Sequence, residues 1–232
     1  LNIIAANKWK RPIYFTSPNS QLGLEAYIRT DGLTYRLVPV KNADVNRDWV
    51  VDKMMNKFRF GNADKHGLYY DEENRRHLNS IRMQYALAAT NLADHNRQQD
   101  AKKILQRCDR MMLQENFPYG MVSRSQQHNQ IAGQFLLAAY KAGDTALIQK
   151  VSSSLRKDLE QQINYYNSLD ENKLSALSYE NDLVNNLLKQ LQQLDQYFKN
   201  PVAAPVNAEK SSTIINKILP VKEDTQVIDN KK

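Results

Sequence analysis

Between Leu78 and Phe198 apolar side chains return every three or four residues, and nothing else in the sequence constrains the fold as tightly. That spacing puts them on one face of an α-helix. Leu78, Ile81, Tyr85, Ala88 and Leu92 form one stripe, and Ala101, Ile104, Leu105, Cys108, Met111 and Met112 a second. Ile131, Phe135, Leu136, Ala139 and Tyr140 form a third, and Ile148, Val151, Leu155, Leu159, Ile163 and Tyr166 a fourth. The fifth runs from Leu174 through Leu177, Val184, Leu187, Leu188, Leu191 and Leu194 to Phe198. It is close to a heptad seam and suits a neighbouring helix or a partner chain. Asp71, Asp144 and Asp170 stand where N-caps are needed, with Glu72 and Glu73 favourably placed in a first turn. Asn116–Gly120 interrupts the pattern, and Gly143 suits a helix C-terminus. With 7 Gly and 7 Pro in 232 residues, the turn chemistry of a β-sandwich is missing. The class predicted is mainly α: stacked helical hairpins, tetratricopeptide-like, with a small two-stranded β element near the N-terminus. Ala88–Cys108 and Gln134–Val151 echo one another at an offset nearer about 47 than 34 residues, which is repeat-like without being a regular array.

The first quarter reads differently. Asn2–Ala6 resembles the end of an apolar helix whose start is missing. Pro12–Thr16 predicts a short buried strand, broken by Ser17-Pro18-Asn19-Ser20. Leu33–Val40 predicts a second strand paired with the first through a long connection, with Gly23 and Gly32 suited to positive φ. Asp48 is placed to cap a helix to Phe58, with Val50, Val51, Met54, Met55 and Phe58 on its apolar side, and 60–71 reads as a loop. The organisation predicted is a small α/β segment over 1–61 that ends a larger domain, a helical-hairpin domain over 62–199 and a loosely ordered tail over 200–232. Within that tail Ile214, Ile215, Ile218 and Leu219 suit one docked helical turn. A first residue of Leu, with no signal peptide, predicts a portion of a longer polypeptide.

Residues 1–61 carry ten basic and five acidic side chains, whereas 121–199 carry eight of each. The excess at the start can attract phosphates, lipid head groups or an acidic partner, or simply ring a solvated surface. Nucleic acid is not expected, because no zinc finger, RNP motif or basic helix accompanies the charge. No apolar run is long enough to span a bilayer. A single Cys excludes an internal disulfide framework, and Cys108 sits on an apolar stripe as a core thiol. His66, near Asp64 and Asp71, matches no standard ligand spacing, and His77 and His95 do not share a helix face. No phosphate-binding or nucleophile-elbow motif occurs. The residues therefore point to no catalytic group, no metal and no cofactor. The densest chemistry is Trp9-Lys10-Arg11-Pro12-Ile13-Tyr14-Phe15. Trp9 and Tyr14 are suited to stack on a sugar or lipid carrier while Lys10 or Arg11 meets a phosphate, with Arg36 joining from the second strand. The plainer reading makes Trp9 and Tyr14 core anchors.

Asn7-Lys8-Trp9-Lys10-Arg11-Pro12-Ile13-Tyr14-Phe15 resembles a stretch of DUF2723, a Bacteroidetes membrane-protein family similar to protein O-mannosyltransferases. Leu22–Ile28, Asp31–Pro39, Phe58-Arg59-Phe60-Gly61 and Tyr70–Arg76 resemble further motifs of that family in the same order, with Asp31 where its pattern has Glu. The resemblance covers residues 7–76, and the helical stretch to about 150 is consistent with the family's C-terminal end. It implies a parent with many transmembrane helices that uses lipid-linked sugars, followed by a soluble part at the periplasmic face of the inner membrane. This chain would belong to that soluble part. The membrane-embedded portion of the parent, and acceptor polypeptide, are the partners it implies. The acidic catalytic residue of such a parent would lie in the membrane region, so no catalytic residue transfers to these positions. The expected function is a non-catalytic accessory domain for acceptor docking or scaffold stabilisation. The alternative is a stand-alone helical-repeat module that binds peptides in a groove lined by Asn, Tyr and Arg.

Overall fold

The computed structural model describes residues 2–16 and 23–199, which include eight α-helices and one three-stranded sheet. The predicted break at 17–20 and the predicted tail, with its docked turn, lie outside the described residues. In chain order the elements are α1 (Asn2–Asn7), β1 (Ile13–Phe15), β2 (Ile28–Asp31), β3 (Thr34–Leu37) and α2 (Arg47–Asn56). Then follow α3 (Glu72–Asp94), α4 (Gln98–Met111), α5 (Gln127–Ala142), α6 (Thr145–Asn167), α7 (Glu171–Ala176) and α8 (Ser178–Lys199). The mainly helical class with stacked hairpins is what the stripes predict.

α3 and α4 form one hairpin, α5 and α6 the next, and α8 lies on α6 and α5. The stripes close on each other. Tyr85, Ala89 and Leu92 of α3, Ile104 and Leu105 of α4, Phe135 and Leu136 of α5, and Val151, Leu155 and Leu159 of α6 share one core. Val184, Leu187, Leu191 and Leu194 complete it, so the long fifth stripe packs on helices of the same chain. α5 is central: eleven of its sixteen residues are buried, many of them Ala or Gly that permit close approach. The Asp195 carboxylate fastens α8 by accepting from the Tyr140 hydroxyl and the Arg156 guanidinium, and Tyr140 stacks on Phe198 with ring centroids 4.6 Å apart.

The caps follow the sequence with two corrections. Asp71 accepts from the Asn74 amide at 2.8 Å and Asp144 from that of Leu147 at 3.2 Å, while Gly143 closes α5 at φ 69°. α2 begins two residues earlier than predicted, and its cap is Asn46, which accepts from Trp49 N at 3.1 Å. Asp48 sits inside the first turn, where its charge still suits the dipole. Asp170 caps only the six-residue α7, and α8 restarts at Ser178. The chain turns at Leu177, so the fifth stripe belongs to two helices.

The β element is also larger than predicted. Three strands lie in the order β1-β3-β2, all antiparallel. β2 escapes sequence reading because Ile28-Arg29-Thr30-Asp31 has a single apolar residue. One sheet face turns inward: Leu37 is buried, and the Tyr35 hydroxyl accepts from Gln84 of α3 at 2.8 Å. Val50 and Met54 of α2 enter the helical core, and the Tyr85 hydroxyl donates to Met54 O at 2.6 Å.

The connection from α4 to α5 is held by Arg82 of α3, which is 1% exposed. Its guanidinium donates to the carbonyls of Phe117 (2.9 Å) and Pro118 (3.1 Å) and lies 4.3 and 4.5 Å from the ring centroids of Phe117 and Tyr119. The adjoining Gly120 runs so close to α6 that a Cβ there would lie 2.4 Å from Ser154 O. Arg82→Met keeps the bulk but strands the Phe117 carbonyl, at a typical cost of about 1–3 kcal/mol for an unsatisfied buried group. Urea unfolding should show a stability loss of about 2–3 kcal/mol with the m-value unchanged, and a loss under about 1 kcal/mol would mean that the clasp is dispensable.

Candidate functional site

The residues singled out in the sequence occupy the outer side of the first quarter. α1 ends at Asn7, whose side chain brackets the following turn: its Nδ2 donates to Arg11 O at 2.7 Å and its Oδ1 accepts from Arg11 N at 3.2 Å. Lys10 N donates to Asn7 O at 2.9 Å. Within the bracket Lys8 and Trp9 adopt left-handed backbone at φ 46° and 59°, which is uncommon for residues with a Cβ. Trp9 is 48% exposed and Tyr14 is 42% exposed, so neither anchors the core. Lys10 and Arg11 are exposed as well.

The pleat makes the second half of the site. Tyr14 pairs with Arg36 across β1 and β3, and Arg36 pairs with Arg29 across β3 and β2. Residues opposite one another share a face, so these three form a row on the side away from α3. The Arg36 guanidinium lies 5.9 Å from the Tyr14 ring centroid. Asp31, two residues from Arg29 on β2, is on the same face and 1% exposed. It accepts from Arg29 Nε at 2.8 Å and Nη2 at 3.0 Å, and Arg36 Nη1 lies 3.9 Å from it. The fork-to-fork hydrogen bonds with Asp31 hold Arg29 above its usual value, against partial desolvation. One carboxylate thus faces two guanidiniums, and the row keeps a surplus positive charge. The structure brings Tyr14 and Arg36 together and places Trp9, Lys10 and Arg11 in the turn that feeds β1. Arg29 and Asp31 are the members that sequence reading missed. Their signal was the i, i+2 spacing, legible only once 28–31 is known to be a strand.

The other candidates separate. His66 Nδ1 lies 2.9 Å from Glu115 Oε1 in an exposed loop, and Glu73 pairs with Arg76 and His77. Among the described residues no three His, Cys, Asp or Glu side chains gather where an ion would fit. Cys108 is buried, and desolvation pushes its thiol up to about 12. It should resist a thiol-reactive disulfide in the native chain and react promptly in urea; native-state labelling at the rate of a free thiol would refute the core assignment. A cleft of about 340 Å³ lies between 122–126 and the ends of α6 and α8, lined in part by Arg124, Tyr166, Tyr179 and Leu183. Ser125 and Gln126 form its edge at φ 51° and 57°, with Gln126 held by Asn129 at 2.9 Å and Gln162 at 2.6 Å.

His128, which the sequence did not single out, is fully buried on α5. Its Nε2 lies 2.7 Å from Pro118 O, and its ring meets Phe117 edge-on at 4.9 Å. Burial, reinforced by the Arg82 charge, pushes its pKa down to about 3. Unfolding returns it to about 6.5, so the unfolded chain binds the extra proton between those values. This share of stability is complete above about pH 6.5 and is lost as the pH falls toward 3. Urea midpoints should report a loss of about 2 kcal/mol from this group between pH 7 and 5. His128→Gln should flatten that slope, and an equal slope in the variant would assign it elsewhere.

Residues 1–57 match the family model described as TMEM260-associated domain 2. The matched range takes in α1, the bracketed turn, the whole sheet and α2, and stops before the hairpins. No curated protein and no solved structure matches the chain.

Proposed function

We propose that this chain is an accessory domain of a multi-pass, glycosyltransferase-like membrane protein of the DUF2723 kind, carried at the periplasmic face of the inner membrane. The observation that carries the reading is the coincidence of two ranges. The match to TMEM260-associated domain 2 covers residues 1–57, and the exposed aromatic and cationic row lies within it. The first quarter faces the rest of the parent, and the hairpins give it a rigid mount. The domain steadies the membrane-embedded part or holds acceptor polypeptide near it, and transfer chemistry belongs to the parent. Among the described residues no helix is long and apolar enough to cross a membrane, in keeping with that division of labour.

A second reading, a helical-repeat peptide binder, draws on the cleft beside Tyr166 and Tyr179. Among the described residues its lining holds Arg124, Tyr166 and Tyr179 but no Asn, so the accessory reading is preferred. The deciding experiment removes this region from the full-length parent and compares glycoprotein profiles at matched parent abundance. Loss or shortening of glycans is the expected result. An unchanged profile would sever the link to glycosylation.

A further inference from the structure

α1 is an apolar helix that buries none of its residues. Its sequence is Asn-Ile-Ile-Ala-Ala-Asn, and Ile3 is 79% exposed. Three cations follow at once, Lys8, Lys10 and Arg11, with no acidic residue among positions 2–16. Among the described residues none of the three forms an ion pair. Trp9 and Tyr14 stand between and beside them with exposed rings, and Arg36 overlies Tyr14.

We propose that α1, the Asn7–Arg11 turn and the Tyr14–Arg36 row form a surface that seats on an anionic bilayer. Ile3 and Trp9 enter at the acyl boundary, and Lys8, Lys10, Arg11 and Arg36 meet lipid phosphates. The mixture of side chains favours a bilayer over an acidic polypeptide. An acidic segment would satisfy the cations but leave Ile3 in water, whereas the interfacial zone offers anions and an apolar layer at adjacent depths. Indole and phenol rings also concentrate at that depth, where an apolar body and a polar tip are both accommodated. The bracket by Asn7 holds Trp9 outward in a defined turn. The inference deepens the accessory-domain reading and rests on it for the orientation of this face. The two fail separately, because vesicle binding by the chain does not depend on whether the parent transfers sugar.

The test uses the full 232-residue chain carrying Trp49→Phe, which leaves Trp9 as the single tryptophan. Vesicles of phosphatidylcholine with about 30 mol% phosphatidylglycerol should shift Trp9 emission to the blue, and about 0.5 M salt should reverse most of the binding. Adding Lys10→Ala and Arg11→Ala should lower the partition coefficient about thirtyfold, roughly fivefold for each charge. Lys103→Ala with Arg110→Ala removes the same charge from α4 and should change it less than about twofold. Circular dichroism on each variant confirms an intact helical core. Unmoved Trp9 emission on the anionic vesicles would overturn the proposal, and so would an equal loss from the α4 pair. Binding of polyglutamate as tight as binding of vesicles would overturn it in favour of an acidic polymer.

Discussion

The Arg82 guanidinium leaves water without a carboxylate to meet it, and much of the architecture follows from how that is tolerated. Two backbone carbonyls and two aromatic faces replace its solvent. Carbonyls in a loop need donors as much as the guanidinium needs acceptors, so each removes the other's desolvation problem. The Pro118 carbonyl serves twice, taking Arg82 on one side and His128 on the other. Arg82 belongs to α3 and His128 to α5, so one short stretch of loop joins the two hairpins at their centre. Once that stretch is fixed, Gly120 can run against α6 and Tyr119 can reach Asp109 of α4 at 3.0 Å. Four long helices then take their positions from one connection that the periodic stripes do not describe.

That explains what was legible in the sequence. Helix existence was, because each stripe is a local property of a few turns and needs no knowledge of partners. Asp71, Asp144 and Gly143 were legible for the same reason: a cap acts within four residues. The break between α7 and α8 was not, because apolar spacing continues across Leu177 while the backbone does not. β2 was hidden by its polarity, since a strand with one face outward and an arginine–aspartate pair on it carries almost no hydrophobic signal. Arg82 and His128 read as ordinary polar positions on helical faces. Their burial depends on a loop some 35 and 10 residues away in sequence, which no window on the chain reveals.

The first quarter was legible to a different degree. Its density of aromatic and basic residues singled out Trp9, Lys10, Arg11, Tyr14 and Arg36 as candidates, and the structure leaves these side chains exposed or half-buried. What the sequence lacked was the pairing that puts Arg29 and Asp31 beside Arg36. Register decides this: with side chains alternating, a slip of one residue between β1 and β3 would send Tyr14 and Arg36 to opposite faces. The buried Leu37 and the Tyr35–Gln84 hydrogen bond pin that register from the inner face. Apolar packing on one side of the sheet therefore arranges the charges on the other.

The contrast between the two ends of the molecule gives that arrangement its meaning. From α2 onward every long helix directs its apolar stripe into a shared core, while α1 has no fully buried residue, with Ile3 exposed and Ile4 half-buried. A frayed terminus would show the same exposure, but it would not carry a side-chain bracket. Left-handed backbone at Lys8 and Trp9 costs on the order of 1–2 kcal/mol for each residue. Both hydrogen bonds from Asn7 reach across those positions to Arg11, so the conformation is imposed by specific groups. The exposure of Trp9 is therefore a feature of a built turn, at the start of the aromatic and cationic surface.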